Sequence, residues 1–472
     1  MQRSVLGVGV VLAAGMVQAA EPLRDVASSA ADREAVAVTV YNDDLALVKE
    51  RRRVDLAGGL TRLSLRDVAA QLRPETALLR AVSGQPLNLI EQNFDFDLLT
   101  PQKLLEKYVG REVTVIRSHP TTGEDRRERA TVLAAGQAGY PNAVLRFADR
   151  IETGVPGRLA FDSVPSNLRE RPTLSVLLEA GGGKQAVELS YLTGGLSWKA
   201  DYVANLATDG TSLDLNGWVT LTNRSGAGFD NATLQLVAGT VNRVRPPEPR
   251  AIAMAAQAPR SKAIEATQEA LMDYHLYSFE RPTSIADNQT KQLALLSASA
   301  VPVRREYLLA GSDWYYRERY TQIGQKLKPA VFLEFHNKGG SLGKPLPAGI
   351  VRVYARDSKG AAQFVGEDRI EHTAKNETLK LRLGEAFDIT AERRQTSYRK
   401  IADNVVETAY RIDLHNAKDE AVTVRVQEPL PGDWEVVQES QEHNKESARI
   451  VSWNLALPAG GAKFLEYAVR VR

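Results

Sequence analysis

Cysteine is absent from the 472 residues of the chain. This absence excludes a disulfide framework, a lipid-modified N-terminal cysteine and a thiol nucleophile. Histidine is scarce, with six residues, and no two of them lie three or four positions apart. Since paired zinc ligands on a helix need that spacing, we expect neither a metal site nor a cofactor.

An excess of charge of either sign is also missing, because 60 Lys and Arg residues face 58 Asp and Glu residues. A chain so close to neutral has no overall attraction to nucleic acid or to anionic lipid. Arg51–Arg53 and Arg126–Arg127 are flanked by acidic residues, and we expect them to be solvated faces of strands or loops. The glycine-rich loops of nucleotide-binding folds are missing too, so neither nucleic acid nor a nucleotide is an expected partner.

A long apolar run occurs once, at the N-terminus. Arg3 precedes an uncharged stretch from Ser4 to about Val17, and small residues follow at Ala19 and Ala20. The stretch is shorter than the roughly 20 residues that span a bilayer. These features predict a signal peptide over 1–20 that is cleaved near Ala19 or Ala20. We therefore expect a periplasmic or secreted protein without a transmembrane anchor after cleavage.

Short alternating runs dominate the rest of the chain, as in Val36, Val38 and Val40. Hydrophobic residues make up 43% and charged residues 25%, which is typical of a globular protein. The pattern predicts a mainly β fold with several immunoglobulin-like β-sandwich domains. We also expect a small β-barrel-like unit, one short helix and one long flexible loop.

The predicted signal peptide is followed by four predicted segments. The helix is placed by Thr100 as its N-cap and Pro101 at its first position, and Gly110 follows its end. The loop is placed by a stretch rich in proline and alanine. The segments are 21–110, an N-terminal β domain ending in the short helix; 111–168, the small β-barrel-like unit; 169–385, a central β-sandwich region with a mobile loop at about 245–270; and 386–472, a C-terminal immunoglobulin-like β-sandwich.

A strand pattern ending in asparagine occurs three times, at Val219–Asn223, Leu333–Asn337 and Ile412–Asn416. Another strand-like run follows each asparagine after a polar or glycine-rich turn. Asparagine favours turns because its side chain bonds to nearby backbone. We therefore predict three β-hairpins that belong to sandwich domains.

Two aromatic groups supply the candidate binding residues. The first comprises Trp314, Tyr315, Tyr316 and Tyr320, and the second comprises Tyr274 and His275. Tryptophan and tyrosine anchor interfaces and stack on sugars, but aromatic residues are also common in the packing of strands. Binding and strand packing both stay open as roles for these residues. If they bind a partner, we expect it to be an envelope protein or a glycan.

A periplasmic hydrolase acting on cell-wall glycan or peptide is the alternative function. Its site would contain Glu367, Asp368 and His372, since acids beside a histidine can move protons. A solvated turn at the end of a strand explains the same residues. No Gly-x-Ser-x-Gly motif is present, so we assign no catalytic residue.

Several strings, taken together, resemble one family. They are Tyr191–Tyr202, Leu236–Asn242, Tyr274–Tyr277 with Lys291–Leu293, Leu342–Tyr354 and Phe364–Asp368. They resemble the mucoidy-inhibitor-like family of bacterial domains of unknown function, from about residue 174 to the C-terminus. The resemblance implies a secreted, β-sandwich-rich protein with no established activity, and it transfers no catalytic residues. We therefore expect a non-enzymatic binding, structural or envelope-assembly protein.

Overall fold

The computed structural model describes residues 23–42, 44–95, 97–136, 143–154, 157–165, 168–239, 270–271, 274–320, 323–340 and 342–472. Most of these residues lie in β-strands, which confirms the predicted mainly β fold. The predicted signal peptide lies outside the described residues, as does the predicted mobile loop except for its last residue, Ala270. Among the described residues, no helix is long and apolar enough to cross a bilayer.

The elements up to the small unit are β1 (Arg24–Ser28), β2 (Arg33–Tyr41), β3 (Leu45–Leu56), β4 (Gly59–Arg66), β5 (Leu78–Ala81), β6 (Asn88–Asp95), α1 (Pro101–Lys107), β7 (Glu112–Ser118), β8 (Asp125–Ala134), β9 (Val144–Arg146), β10 (Ile151–Thr153) and β11 (Arg158–Ala160). The next elements are β12 (Thr173–Ala180), β13 (Gly183–Thr193), β14 (Leu196–Leu206), β15 (Ser212–Asn223), β16 (Phe229–Ala238), β17 (Ala270–Leu271), β18 (Tyr274–Ser278), β19 (Thr283–Ile285) and β20 (Gln289–Ala310).

The remaining strands are β21 (Gly324–Leu327), β22 (Ala330–His336), β23 (Gly349–Arg356), β24 (Ala362–Ile370), β25 (Thr378–Glu385), β26 (Ile389–Ala402), β27 (Val405–Asn416), β28 (Val422–Pro429), β29 (Trp434–Glu439), β30 (Asn444–Lys445), β31 (Ile450–Leu457) and β32 (Ala462–Val471). Within the described ranges, three short 3-10 helices span Ala30–Asp32, Pro74–Thr76 and Asp313–Tyr316.

The predicted helix is α1, and its start is as expected. The Thr100 hydroxyl accepts a hydrogen bond from the Lys103 backbone N–H at 3.1 Å, and Pro101 is the first helical residue. Leu105 and Tyr108 are buried against the sheet β10-β9-β8-β7-β11. This antiparallel sheet is open rather than closed among the described strands, and with α1 it forms a separate core.

The central sandwich joins strands from distant parts of the chain. One sheet has the order β17-β18-β16-β2-β3-β13-β5, and it packs against β14 of a second sheet. The second sheet runs β24-β23-β14-β15-β20 and continues into the C-terminal region. Because β3 pairs with β13 along its whole length, the predicted segments 21–110 and 169–385 share one core.

The C-terminal sandwich packs β21-β26-β27-β32-β29 against β28, β31 and the last part of β20. Strand β20 is 22 residues long and pairs first with β15, then with β22 and β28. Its residues Tyr307 and Leu309 lie in the C-terminal core. This core therefore begins before residue 386, the predicted start of the C-terminal sandwich.

The three predicted hairpins are wrong, because β15, β22 and β27 do not pair with the strands that follow them, β16, β23 and β28. β15 pairs with β14 and β20, whereas β16 pairs with β2 in the facing sheet. Asn223, Asn337 and Asn416 are fully buried where the chain leaves one strand. The Asn416 amide donates to the Glu420 and Pro458 carbonyls, each at 2.9 Å. Asn223 and Asn416 therefore fasten connections between two different sheets, rather than tight turns within one.

Candidate functional site

Three residues of the first aromatic group, Trp314, Tyr315 and Tyr316, lie on a single turn of 3-10 helix, Asp313–Tyr316, that follows β20, and Tyr320 lies four residues beyond it. Trp314 is 41% exposed, whereas Tyr315 and Tyr316 are buried in the C-terminal core. One short turn therefore presents an indole ring to solvent and inserts two phenol rings below it. We call Trp314 and Tyr320 the aromatic surface.

The Trp314 ring is held from two sides. Its centroid lies 4.4 Å from that of Tyr315 and 4.9 Å from that of Tyr320, both edge to face. The Tyr320 hydroxyl donates to the Trp314 carbonyl at 3.1 Å. Edge-to-face contacts at such distances are favourable, so the exposed ring is held in one position.

Strand β26 fixes the segment that follows the 3-10 helix. The Gln395 side chain accepts from the Tyr320 backbone N–H at 2.8 Å and donates to the Glu318 carbonyl at 3.1 Å. The Tyr398 hydroxyl donates to the Arg317 carbonyl at 2.9 Å. Local sequence patterns did not indicate these contacts, because β26 lies about 80 residues further along the chain.

Below the aromatic surface lies a buried polar group, the Glu428 cluster, which consists of Tyr316, Arg393, Glu428 and Tyr467. Arg393 donates to one carboxylate oxygen of Glu428 at 2.5 Å, and the Tyr316 hydroxyl donates to the other at 2.9 Å. The hydroxyls of Tyr316 and Tyr467 are 3.0 Å apart. Tyr316 thus links the helix that carries Trp314 to a buried ion pair.

Burial sets the electrostatics of the Glu428 cluster. Desolvation raises the pKa of Glu428 above its ordinary value, although Arg393 and the two hydroxyls act in the opposite direction. Desolvation also raises the pKa values of Tyr316 and Tyr467 well above 10.0, and the charge of Glu428 adds to both shifts. The tyrosines therefore act as neutral hydrogen-bond donors.

Sequence reasoning missed the Glu428 cluster, although the strand periodicity carried a signal. Val422, Val424 and Val426 alternate inward along β28, so the same phase places Glu428 inside. Ile389 precedes Arg393 by four residues on β26 and is buried in the same way. A charged residue on the inward phase of an apolar strand is the feature that could have been recognised.

Arg52 is another charged residue on the inward phase of an apolar strand. The sequence predicted a solvated face for Arg51–Arg53, but Arg52 and Glu50 are fully buried, so this prediction is wrong for Arg52. Both lie on the inward phase of β3, between Val48 and Val54. Arg51 and Arg53 point the other way and remain exposed. Together with Arg33 and Tyr191, the two buried residues form the Glu50 cluster.

The second aromatic group is placed elsewhere. Tyr274 and His275 lie on β18 of the central sandwich, so the structure does not join them to the aromatic surface. Desolvation lowers the pKa of His275 and of His372, and His275 adds a further lowering at His372. The two histidines, which belong to different predicted groups, therefore interact electrostatically.

The three residues of the alternative hydrolase site have separate partners. Glu367 forms an ion pair with Arg352 at 3.2 Å, and Asp368 accepts from the Arg382 backbone N–H at 2.7 Å. The His372 imidazole accepts from the Ala348 backbone N–H at 3.1 Å. Adjacent strand residues point to opposite faces, which separates Glu367 from Asp368. In the part of the chain that the structure describes, no three His, Cys, Asp or Glu residues are placed to hold a metal ion.

Another exposed tryptophan was not singled out from the sequence. Trp218 is also 41% exposed, but it projects from the middle of β15 rather than from an anchored helix. Phe364 on β24 is 55% exposed. Trp218 therefore has the same exposed fraction as Trp314, but it lies within a strand, whereas the Trp314 ring is held between two tyrosine rings.

The chemistry available at the aromatic surface is that of binding. The exposed groups are aromatic rings beside an Asp313–Arg317 ion pair, and the carboxylate beneath them is fully buried. A general acid or base must reach the atom whose proton it transfers. Glu428 is enclosed in the core, so the arrangement supports the position of Trp314 rather than a proton transfer to a ligand.

Comparison with known proteins identifies the C-terminal part of the chain. None of the curated proteins compared with the chain matches it. A family model described as "Domain of unknown function (DUF4139)" matches residues 187–472. The matched part contains the Glu428 cluster and the aromatic surface, and it confirms the resemblance to a domain of unknown function. Because the match covers more than half of the sequence, the chain belongs to the DUF4139 family.

Proposed function

We propose that the chain is a non-enzymatic binding protein of the bacterial cell envelope, with the aromatic surface as its contact site. The observation that supports this is the Trp314 ring, 41% exposed yet held between two tyrosines. An aromatic side chain that is already fixed loses little conformational freedom when a ligand covers it. Such residues contribute strongly to binding.

The chemistry of the surface favours a glycan as the ligand. The indole ring supplies an apolar plane, and the exposed side chains of Asp313 and Arg317 supply a hydrogen-bond acceptor and donors. A sugar ring offers apolar C–H faces and hydroxyl groups at its edge, which suits this combination. An envelope protein is the other class of partner that the test distinguishes.

The test is a co-sedimentation assay of the purified chain with insoluble cell-wall glycan. We expect Trp314→Ala to reduce the bound fraction at least tenfold. Trp218→Ala is the matched control, because this residue has the same exposed fraction, and it should bind as the native chain does. Equal binding by both variants would refute the assignment, and Trp314-dependent capture of an envelope protein instead would replace the glycan.

Export from the cytoplasm is part of the same proposal. It is supported by the charged start, the uncharged stretch and the small residues before Glu21. Mass spectrometry of the chain recovered from a periplasmic extract should give a mature N-terminus at Ala20 or Glu21. An intact Met1 in the cytoplasmic fraction alone would contradict this.

The hydrolase alternative gains no support from the described residues. Glu367, Asp368 and His372 each bond to a different part of the fold. We therefore propose no catalytic role for them.

A further inference from the structure

A cleft of about 500 Å³ opens at the edge of the central sandwich. Its walls come from β18 and the turn after it on one side and from β20 on the other. The apolar lining consists of Tyr277, Phe279, Leu293, Leu295 and Leu296. The volume falls within the range of about 300–1,000 Å³ that is usual for small-molecule sites.

Leu293 and Leu296, two of the three leucines that line the cleft, face the interior of the sandwich. Leu293 pairs with Val219 and Leu296 pairs with Gly217 on β15. Cross-strand partners lie on the same face of a sheet, and Val219 is fully buried. Both leucines are nevertheless only half-buried, because the cleft lies between them and the facing strand β18. Core-type side chains are therefore left accessible from the surface.

A β-bulge widens this apolar wall. The register between β15 and β20 shifts between Gly217 and Trp218, which leaves Leu295 as an extra residue on β20. An extra residue in a bulge lacks a cross-strand partner and redirects the neighbouring side chains. Leu295 also lines the cleft, so the irregularity adds apolar surface at that position.

The rim of the cleft is polar and carries an excess of positive charge. Arg281 and Lys344 are exposed at the rim, together with one acid, Glu280. The Tyr277 hydroxyl donates to the Pro345 carbonyl at 3.2 Å, which ties β18 to the loop that carries Lys344. Two cations and one carboxylate at the mouth of an apolar cleft favour a ligand with an anionic end.

We propose that this cleft binds a single-chain amphiphile with an anionic head group, such as a fatty acid. Its hydrocarbon chain lies against Leu293, Leu295 and Leu296, and its carboxylate lies beside Lys344 and Arg281. Burial of the hydrocarbon supplies the affinity, and the rim cations fix the orientation. The cleft belongs to the central sandwich, so this ligand is distinct from the one proposed for Trp314.

The first test compares a fluorescent long-chain fatty acid with its uncharged methyl ester in titrations of the purified chain. We expect saturable binding of the acid and weaker binding of the ester. The double variant Arg281→Glu with Lys344→Glu should lower the affinity for the acid at least tenfold and change the affinity for the ester less than twofold. Lys338→Glu is the control, because this exposed lysine lies on the same loop but outside the cleft.

The second test places a charge in the apolar wall. Leu295→Asp should abolish binding of both the acid and the ester, with folding checked by circular dichroism. If this variant does not fold, the double variant of Arg281 and Lys344 still tests the proposal, because both side chains are exposed and their replacement should not disturb folding. The proposal is overturned if the native chain binds neither ligand saturably, or if reversing the rim charges leaves acid binding unchanged.

The two proposed sites can fail separately. Trp314→Ala should leave the affinity for the fatty acid within twofold of the native value, whereas Leu295→Asp should not change binding to cell-wall glycan. Equal affinity of the native chain for the acid and the ester would contradict the proposal that the ligand has an anionic head group.

Discussion

Each of the two sandwiches contains a fully buried glutamate beside arginine and tyrosine, Glu50 in the central one and Glu428 in the C-terminal one, but the hydrogen bonds of the two clusters differ. Glu50 accepts from Arg33 at 2.9 Å and from Arg52 at 2.8 Å, and Tyr191 donates to its other oxygen at 3.1 Å. Glu428 has a single arginine, Arg393. The central cluster therefore has two cations for one carboxylate, and the C-terminal cluster has one.

The difference extends to the arginines themselves. Arg52 donates to Glu50 and also to the carbonyls of Ser28 and Arg66, at 3.2 and 2.8 Å, so all three of its nitrogens are used. Arg393 uses only one nitrogen, and its Nε and Nη1 have no hydrogen-bond partner among the described residues. Its guanidinium lies instead 4.8 Å from the centre of the Tyr315 ring.

The comparison shows that equal burial does not give equal support. Backbone carbonyls satisfy the charge of Arg52, whereas a ring face and two tyrosines surround Arg393 and Glu428. A buried ion pair contributes net stability only when its remaining donors and acceptors are satisfied. The Glu428 cluster is the more sensitive of the two, and it lies under the aromatic surface.

Removing Arg393 is the change with the largest expected effect. Arg393→Met keeps the length of the side chain but leaves Glu428 buried without a cation. Such an uncompensated charge costs about 3–5 kcal/mol in the free energy of unfolding. Urea unfolding followed by tryptophan fluorescence measures this, because Trp453 stacks on Tyr467 at 4.6 Å. Arg394→Met is the control, since the exposed pair of Arg394 with Asp413 contributes little.

The same change in the central cluster should cost less. Arg52→Met leaves Glu50 paired with Arg33, so the loss is that of hydrogen bonds to two carbonyls and one carboxylate oxygen. Each buried carbonyl left unpaired costs about 1–3 kcal/mol, whereas a buried charge left without its partner costs about 3–5 kcal/mol. A larger destabilisation by Arg52→Met than by Arg393→Met would reverse the comparison.

Local patterns predicted those parts of the fold that depend on local contacts. Thr100 and Pro101 mark the start of α1 because capping involves residues only a few positions apart. Alternation predicted strands such as β28 for the same reason. The pairing of β3 with β13 joins residues more than 120 positions apart, and nothing in either strand specifies that partner.

The asparagines show the limit of the local argument. Asn416 does bond to backbone near its turn, as expected, but it also reaches Pro458, which lies 42 residues further on. A side chain that holds two distant loops has the same local sequence as one in a hairpin. Prediction of the candidate site had the same limit. Trp314 could be recognised as a candidate by its residue type, but its support by the distant strand β26 could not be recognised from the sequence.

The smallest expected effect is the pH dependence that Glu428 contributes to the free energy of unfolding. Burial raises the pKa of Glu428 in the folded state above the ordinary 4.5. The protonated carboxyl is therefore favoured on folding, and its contribution to stability is complete below pH 4.5 and declines as the pH rises through the folded value. The neighbouring tyrosines do not titrate in this range, because burial raises their pKa values well above 10.0.

The comparison of the native chain with Glu428→Gln isolates this contribution. The native free energy of unfolding, minus that of the variant, should decrease as the pH rises from 4.5 and then level off once Glu428 is ionised in the native state. Urea midpoints at a series of pH values measure it, and Glu442→Gln, at an exposed position of the same sandwich, should show no such decrease. A difference that instead increases with pH would mean that Arg393 outweighs burial.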